Sequence, residues 1–171
     1  YLEISIGGNV KGRLVFKLCD VHTPNTSANF RALCKGGGVS GAGYKGSIIH
    51  SVAKGFGCHG GDYVNNDGTG GLCAAGHKVL PDESFAKSHS GRGVLSMANQ
   101  GWPHSNGSQF FITFGAATHL NDKSVAFGDL IDGAQVLREI EEVATENTCI
   151  AGWVRNGRPC ASSEVRISDC G

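Results

Sequence analysis

The sequence predicts a mainly β protein, an antiparallel barrel flanked by two short helices, and three observations carry that expectation. Short apolar or alternating runs of strand length recur along the chain. Glycine makes up 27 of the 171 residues and is spread between those runs without a period, as many tight turns require. Only two segments show helical periodicity. Closure of the barrel is expected because it removes exposed strand edges. A single domain over 1–171 follows from a length that can bury a core without metal or disulfide support.

Taken in order, Leu2-Glu3-Ile4-Ser5-Ile6 alternates apolar and polar, Gly7-Gly8-Asn9 turns the chain, and Arg13-Leu14-Val15-Phe16-Lys17-Leu18 returns. The start is therefore a hairpin. Thr23-Pro24 predicts a helix start, with threonine as N-cap and proline in the first turn, and Ala28, Phe30, Leu33 and Cys34 follow at helical spacing until Gly36-Gly37-Gly38 ends the run. Strands are expected over 47–52, 94–98, 109–114 and 125–130. After Gly133, Val136, Leu137, Ile140 and Val143 share one helical face, opposite Arg138, Glu139, Glu141 and Glu142. Glu164-Val165-Arg166-Ile167-Ser168 is the last strand.

Lys+Arg and Asp+Glu are both 15, so the chain has no charge footprint for nucleic acid or an anionic membrane surface. No apolar run approaches the roughly 18 residues of a membrane span. Seven cysteines, an odd number without a Cys-x-x-Cys pair, read as reduced thiols of an intracellular, cytoplasmic protein. Asn65-Asn66-Asp67-Gly68-Thr69-Gly70-Gly71 resembles a calcium loop, but Tyr63 falls at its first ligand position and Ala74 where a bidentate glutamate belongs, so it reads as a turn. The glycine-rich stretch before Ser47 lacks the ending of a P-loop, and the seven histidines, with no metal-ligand spacing, read as surface or turn residues. No metal and no cofactor is expected. Asn106-Gly107-Ser108 is formally a glycosylation sequon, but it enters an expected buried strand.

Gly43-Tyr44-Lys45-Gly46-Ser47, Gly60-Gly61-Asp62, Ser96-Met97-Ala98-Asn99, Asn106-Gly107-Ser108-Gln109-Phe110-Phe111-Ile112 and Val125-Ala126-Phe127-Gly128 occur in an order that resembles the cyclophilins, a family of peptidyl-prolyl isomerases. The resemblance runs from Leu2 to Asp169-Cys170-Gly171. It implies a closed eight-stranded antiparallel barrel capped by two α-helices, with a substrate groove on its outer face. The implied reaction is rotation about an Xaa-Pro bond, and the implied groove residues are Phe56, His59, Ala98, Asn99, Gln109, Phe111, His119 and Leu120.

Five positions depart from the family pattern. Ser51 stands where the catalytic arginine is expected, Gly57 where a methionine is usual, His59 for a supporting glutamine, His119 for a tryptophan and Ser124 for a histidine. A serine hydroxyl is short and neutral, so it cannot replace a charged donor to the prolyl nitrogen; His59 is the candidate substitute. The expected function is binding of proline-containing protein segments with weak or lost isomerase activity, in a structural or scaffold role; the alternative is an active isomerase assisting folding. The stretch 146–163, with Trp153, Arg155, Arg158 and Cys160, is the expected added surface for a larger protein assembly, and Val125 to Gly133 together with it is similar to cyclophilin-like proteins of ciliary axonemes. Because His59 and His119 replace groups that do not titrate, groove occupancy is expected to depend on pH between about 5 and 8.

Overall fold

A computed structural model describes residues 1–74, 76, 79–143, 145–147 and 156–171. Strands β1 (Leu2–Ile6) and β2 (Asn9–Leu18) form the expected hairpin, and α1 (Pro24–Cys34) follows. Then come β3 (Ser51–Ala53), β4 (Gly57–Gly60), β5 (Val94–Met97), β6 (Phe110–Thr113), β7 (Ala126–Asp132) and α2 (Ala134–Glu141). A small ladder of β8 (Thr145–Asn147) and β9 (Asn156–Pro159) precedes β10 (Val165–Cys170). No helix among the described residues is long and apolar enough to cross a membrane.

Eight strands make one antiparallel sheet in the order β10-β1-β2-β7-β5-β6-β4-β3. It curls into an open half-barrel, which corrects the expected closed barrel. The expected strand over 47–52 forms only from Ser51; before it the chain turns at Gly46, with φ +86°, and meets β10 through one isolated bridge, Ile48 to Arg166. Hydrogen bonds from Ile49 N–H to Val165 O (2.9 Å) and from Ile167 N–H to Ser47 O (2.9 Å) stitch this seam without making a ladder. Nor was β4 anticipated: its sequence, Gly57-Cys58-His59-Gly60, has neither β-branched residues nor clear alternation.

The core lies between the concave face and the helices. Phe30 from α1 packs against Tyr44, Phe110 and Phe127 at centroid separations of 5.1–5.5 Å, mostly edge to face. The Tyr44 hydroxyl donates to Ser108 O at 2.7 Å, so its polar tip is satisfied inside. On α2, Val136, Leu137 and Ile140 are buried, as the periodicity predicts.

Two carboxylates order what the core does not reach. Asp62, with no exposed surface, accepts hydrogen bonds from the backbone N–H groups of Val64, Asn65, Asp67, Gly68 and Gly70 at 2.9–3.3 Å. Burial alone would raise its pKa, but these donors outweigh it and hold the carboxyl below its ordinary value. The calcium-like segment is thus a loop wound around an aspartate. Thr23, expected as the N-cap of α1, makes no side-chain cap; its hydroxyl donates to Cys19 O at 3.0 Å. Glu83 does that work from a distant loop: Oε1 accepts from Asn25 N–H (2.9 Å) and Nδ2 (2.7 Å), and Oε2 from Thr26 N–H and Oγ1 (both 2.9 Å).

Glu83→Ala is expected to lower stability by about 1–2 kcal/mol at neutral pH, the scale of a lost cap, as read by urea denaturation. The Glu83 carboxyl sits below its usual 4.5 because the Thr26 and Asn25 donors outweigh the opposing effect of burial. Its contribution is therefore complete above pH 4.5 and is lost as pH falls through the lowered value. Equal stability of variant and wild type would mean that water caps α1 equally well.

Candidate active site

The strand register builds a row of side chains across the sheet. Ser51 on β3 pairs with His59 on β4, His59 with Phe111 on β6, Phe111 with Ser96 on β5, and Ser96 with Ala126 on β7. The next row, Val52, Cys58, Ile112 and Leu95, is buried in the core at 0–2% exposure. Side chains alternate between faces, so the Ser51–His59–Phe111 row faces away from the core.

On that outer face an aromatic cluster forms. Phe56, just before β4, lies 6.2 Å from Phe111 with rings nearly parallel, 6.1 Å from His59 and 5.9 Å from His119, and His59 lies 5.5 Å from Phe111. His119 is exposed and Leu120 half-buried on a short 3-10 turn, Thr118–Leu120. Two cavities elsewhere, about 240 Å³ beside Pro159 and about 660 Å³ beside Cys34 and Cys170, share no residue with this face. The face is an apolar shelf of aromatic rings, which suits a side chain docking from outside.

The polar groove residues are partly spent on the scaffold. Gln109 donates from Nε2 to Gly68 O (3.0 Å) and Gly70 O (2.6 Å), fastening the Asp62 loop to the head of β6, and its carbonyl accepts from Ala98 N–H at 3.0 Å. Asn99 donates to Lys123 O at 2.6 Å and accepts from Gly101 N–H at 3.1 Å. Ala98 is half-buried beside them, and Ser124 is buried.

Burial among aromatic rings, and secondarily the proximity of His50, pushes the His59 pKa down to about 4. The expected titration of both groove histidines between pH 5 and 8 is corrected for this ring: it stays neutral there, able to donate one N–H but carrying no charge. His89 was missed, having been read with the surface and turn histidines. It is fully buried, stacks at 5.8 Å on Phe111, and sets Nδ1 3.1 Å from Asn121 Oδ1 and Nε2 2.9 Å from Ser96 Oγ. Burial holds its pKa below the ordinary value, against the opposing pull of Asn121. A lone histidine has no spacing signal, so nothing local in the sequence could have placed it behind Phe111.

Gly57 has a physical reason beyond the absence of a side chain. A Cβ built there would lie 2.6 Å from Ile112 O, because β4 and β6 approach closely where Gly57 pairs with Thr113, next to Ile112. Of the 146–163 stretch, Trp153 and Arg155 lie outside the described residues; Arg158 is exposed, Cys160 half-buried, and β9 lies alongside β3.

An eight-stranded antiparallel half-barrel with two helices and an outward aromatic shelf defines the class. Comparison of sequences agrees: residues 1–171 match the family described as "Cyclophilin type peptidyl-prolyl cis-trans isomerase/CLD", and the chain belongs to it. It is similar to "Peptidyl-prolyl cis-trans isomerase H" of Rhizopus delemar, 44% identical over 175 residues spanning all of this chain and 92% of the relative. It is also similar to a protein of Encephalitozoon cuniculi named "Peptidyl-prolyl cis-trans isomerase", 42% identical over 171 residues, with the same coverage of 100% and 92%.

The His59 ring is expected to bind a proton near pH 6.5 in the unfolded chain but only near 4 in the folded one. Stability should therefore fall as pH is lowered through that window, by at most about 1.4 kcal/mol per pH unit from this group, and His59→Gln should remove that part of the slope in denaturant titrations. An unchanged slope would mean that the ring is hydrated. Gly57→Met is expected to cost about 1–3 kcal/mol by forcing β4 from β6. A thermal midpoint equal to wild type would show that the pair opens freely.

Proposed function

We propose that this chain binds proline-containing protein segments on the outer face of β3, β4 and β6 and catalyses their cis-trans exchange weakly or not at all. The observation that carries this reading is Ser51 at the head of the row. An Xaa-Pro bond resists rotation by about 18–20 kcal/mol because the amide is conjugated. As the bond twists, the prolyl nitrogen gains a lone pair, and a cationic donor aimed at it stabilises the twisted state more than the planar one. In the row Ser51–His59–Phe111 no group carries a fixed charge: the serine is neutral and burial keeps His59 neutral above about pH 4. The apolar elements that would hold a proline ring, Phe56 and Phe111, stand together. Binding and turnover are thereby separated.

On this reading the partners are proline-containing stretches of a larger protein assembly in which the chain acts as a scaffold, and the β8–β9 ladder beside β3 adds surface next to the groove. The relatives' printed names favour a second reading, an isomerase in which His59 or a backbone N–H supplies the donor.

Magnetisation-exchange NMR with an Ala-Pro peptide separates the two. Wild type should bind while adding little to the exchange rate, and Ser51→Arg should raise exchange on the order of a hundredfold, the worth of about 2.7 kcal/mol of transition-state stabilisation, with affinity changed far less. Adding His59→Gln should raise it further. Fast wild-type exchange that Ser51→Arg leaves unchanged would establish the second reading.

A further inference from the structure

Phe56 ends a four-residue turn, Ala53-Lys54-Gly55-Phe56, closed by Phe56 N–H donating to Ala53 O at 2.9 Å. Gly55, at φ +79°, occupies the position of such a turn that needs a left-handed residue. Glycine relieves the strain there but leaves the turn soft, since its backbone has many alternatives. An aromatic wall carried on so short a turn needs an outside restraint.

We propose that Glu141, at the end of α2, is a positioning residue for Phe56 and so for the groove, an inference that rests on reading this face as the proline-binding site. Its carboxylate closes a ring of contacts around the turn. Oε1 accepts the Gly55 N–H at 2.9 Å; Phe56 O accepts the Phe114 N–H at 2.8 Å; Phe114 O accepts from Arg92 Nη1 at 2.9 Å; and the same Nη1 donates to Glu141 Oε2 at 2.5 Å. The Glu141 side chain is only 15% exposed and that of Arg92 33%, so this pair is shielded from solvent more than a surface bridge is. The Arg92 guanidinium also lies 5.3 Å over the Phe114 ring, a cation–π contact that adds to its hold on this segment. Beside the ring, Lys54 and Glu142 form a bridge at 2.7 Å with 69% and 67% of their side chains exposed, the kind of pair that contributes little.

The ring ties the last turn of α2, which is not part of the sheet, to the β3–β4 turn, to the segment after β6 and, through Arg92, to the segment before β5. The carboxyl is held below its ordinary pKa, because Arg92 and the Gly55 N–H outweigh the opposing effect of burial, so it is charged at neutral pH. Where no fixed charge acts on the prolyl nitrogen, proline recognition depends on aromatic placement, and a displaced Phe56 is felt directly in affinity.

The test uses the full chain with Glu141→Gln, Glu141→Ala, Arg92→Ala and the double variant Glu141→Ala/Arg92→Ala, with Glu142→Gln as control. Three quantities are read: affinity for an Ala-Pro peptide, the ring signals of Phe56 in ¹³C-Phe-labelled protein, and urea stability. Glu141→Ala and Arg92→Ala should each weaken binding about tenfold and shift or broaden the Phe56 ring signals. The double variant should be hardly worse than either single one, since coupled partners are not additive. Glu141→Gln, which keeps an acceptor for Gly55, should lose less, and Glu142→Gln should change neither affinity nor ring signals. A folded Glu141→Ala protein with wild-type affinity and unshifted Phe56 signals would overturn the proposal, as would strictly additive losses. If Glu141→Ala does not fold, Glu141→Gln decides by the same two signals. If wild type itself fails to bind the peptide, the groove reading falls, while the Phe56 signals still report whether Glu141 positions the ring.

Discussion

The two-residue period of β6 is the constraint on which the rest of the molecule depends. Adjacent phenylalanines on this strand do opposite jobs: Phe110 packs inward against Phe30 and Tyr44, while Phe111 stands outward against Phe56, His59 and His89. A slip of one residue would exchange them and send the central ring of the aromatic shelf into the core. Both flanks of the strand resist that slip, β4 by pairing Cys58 with Ile112 and β5 by pairing Leu95 with the same residue. Its entry is pinned as well: Ser108 donates to Gly61 O at 2.6 Å, and Gln109 holds the loop at Gly68 and Gly70. Core and outer shelf are thus a single decision, taken at one strand.

Outside the sheet, order comes from carboxylates that collect backbone N–H groups. A glycine-rich chain loses much backbone entropy on folding, and its loops bring few apolar side chains to compensate. Asp62 gathers five N–H groups around one side chain, Glu83 satisfies the start of α1, and Glu141 takes the N–H of Gly55. Each carboxyl is held below its ordinary pKa despite burial, Asp62 by its backbone N–H donors, Glu83 by backbone and side-chain donors of Thr26 and Asn25, and Glu141 by Arg92 together with the Gly55 N–H. A charge-assisted hydrogen bond is roughly twice as strong as a neutral one, so few residues hold many.

Much of this was legible in the sequence because it is local or periodic. The first hairpin, the buried face of α2 and the strands that became β5, β6 and β7 follow from alternation and helical spacing, and Phe56 with Phe111 follows from motif context. What escaped depends on contacts across long separations. Glu83 caps a helix 57 residues before it, and Thr23 looked like the cap because only its neighbours were visible. His89 acquires its place behind Phe111 only after the sheet has formed. At the seam of the half-barrel the chain from Ser47 to His50 meets β10 through a single bridge and not as the strand expected there, and the low pKa of His59 comes from neighbours on separate segments.

The tight approach at Gly57 limits which side chains this face can take up by substitution. Position 51 sits half-buried at the end of a short strand, and its serine already places a Cβ there. Position 57 is different: any Cβ meets the carbonyl of Ile112 at 2.6 Å, and accommodating one means relocating a strand that also carries His59. With this geometry a side chain at position 57 requires the sheet to widen first. The close packing of two strands thus acts as a filter on sequence change, closed to any side chain at position 57 while the strands keep their spacing.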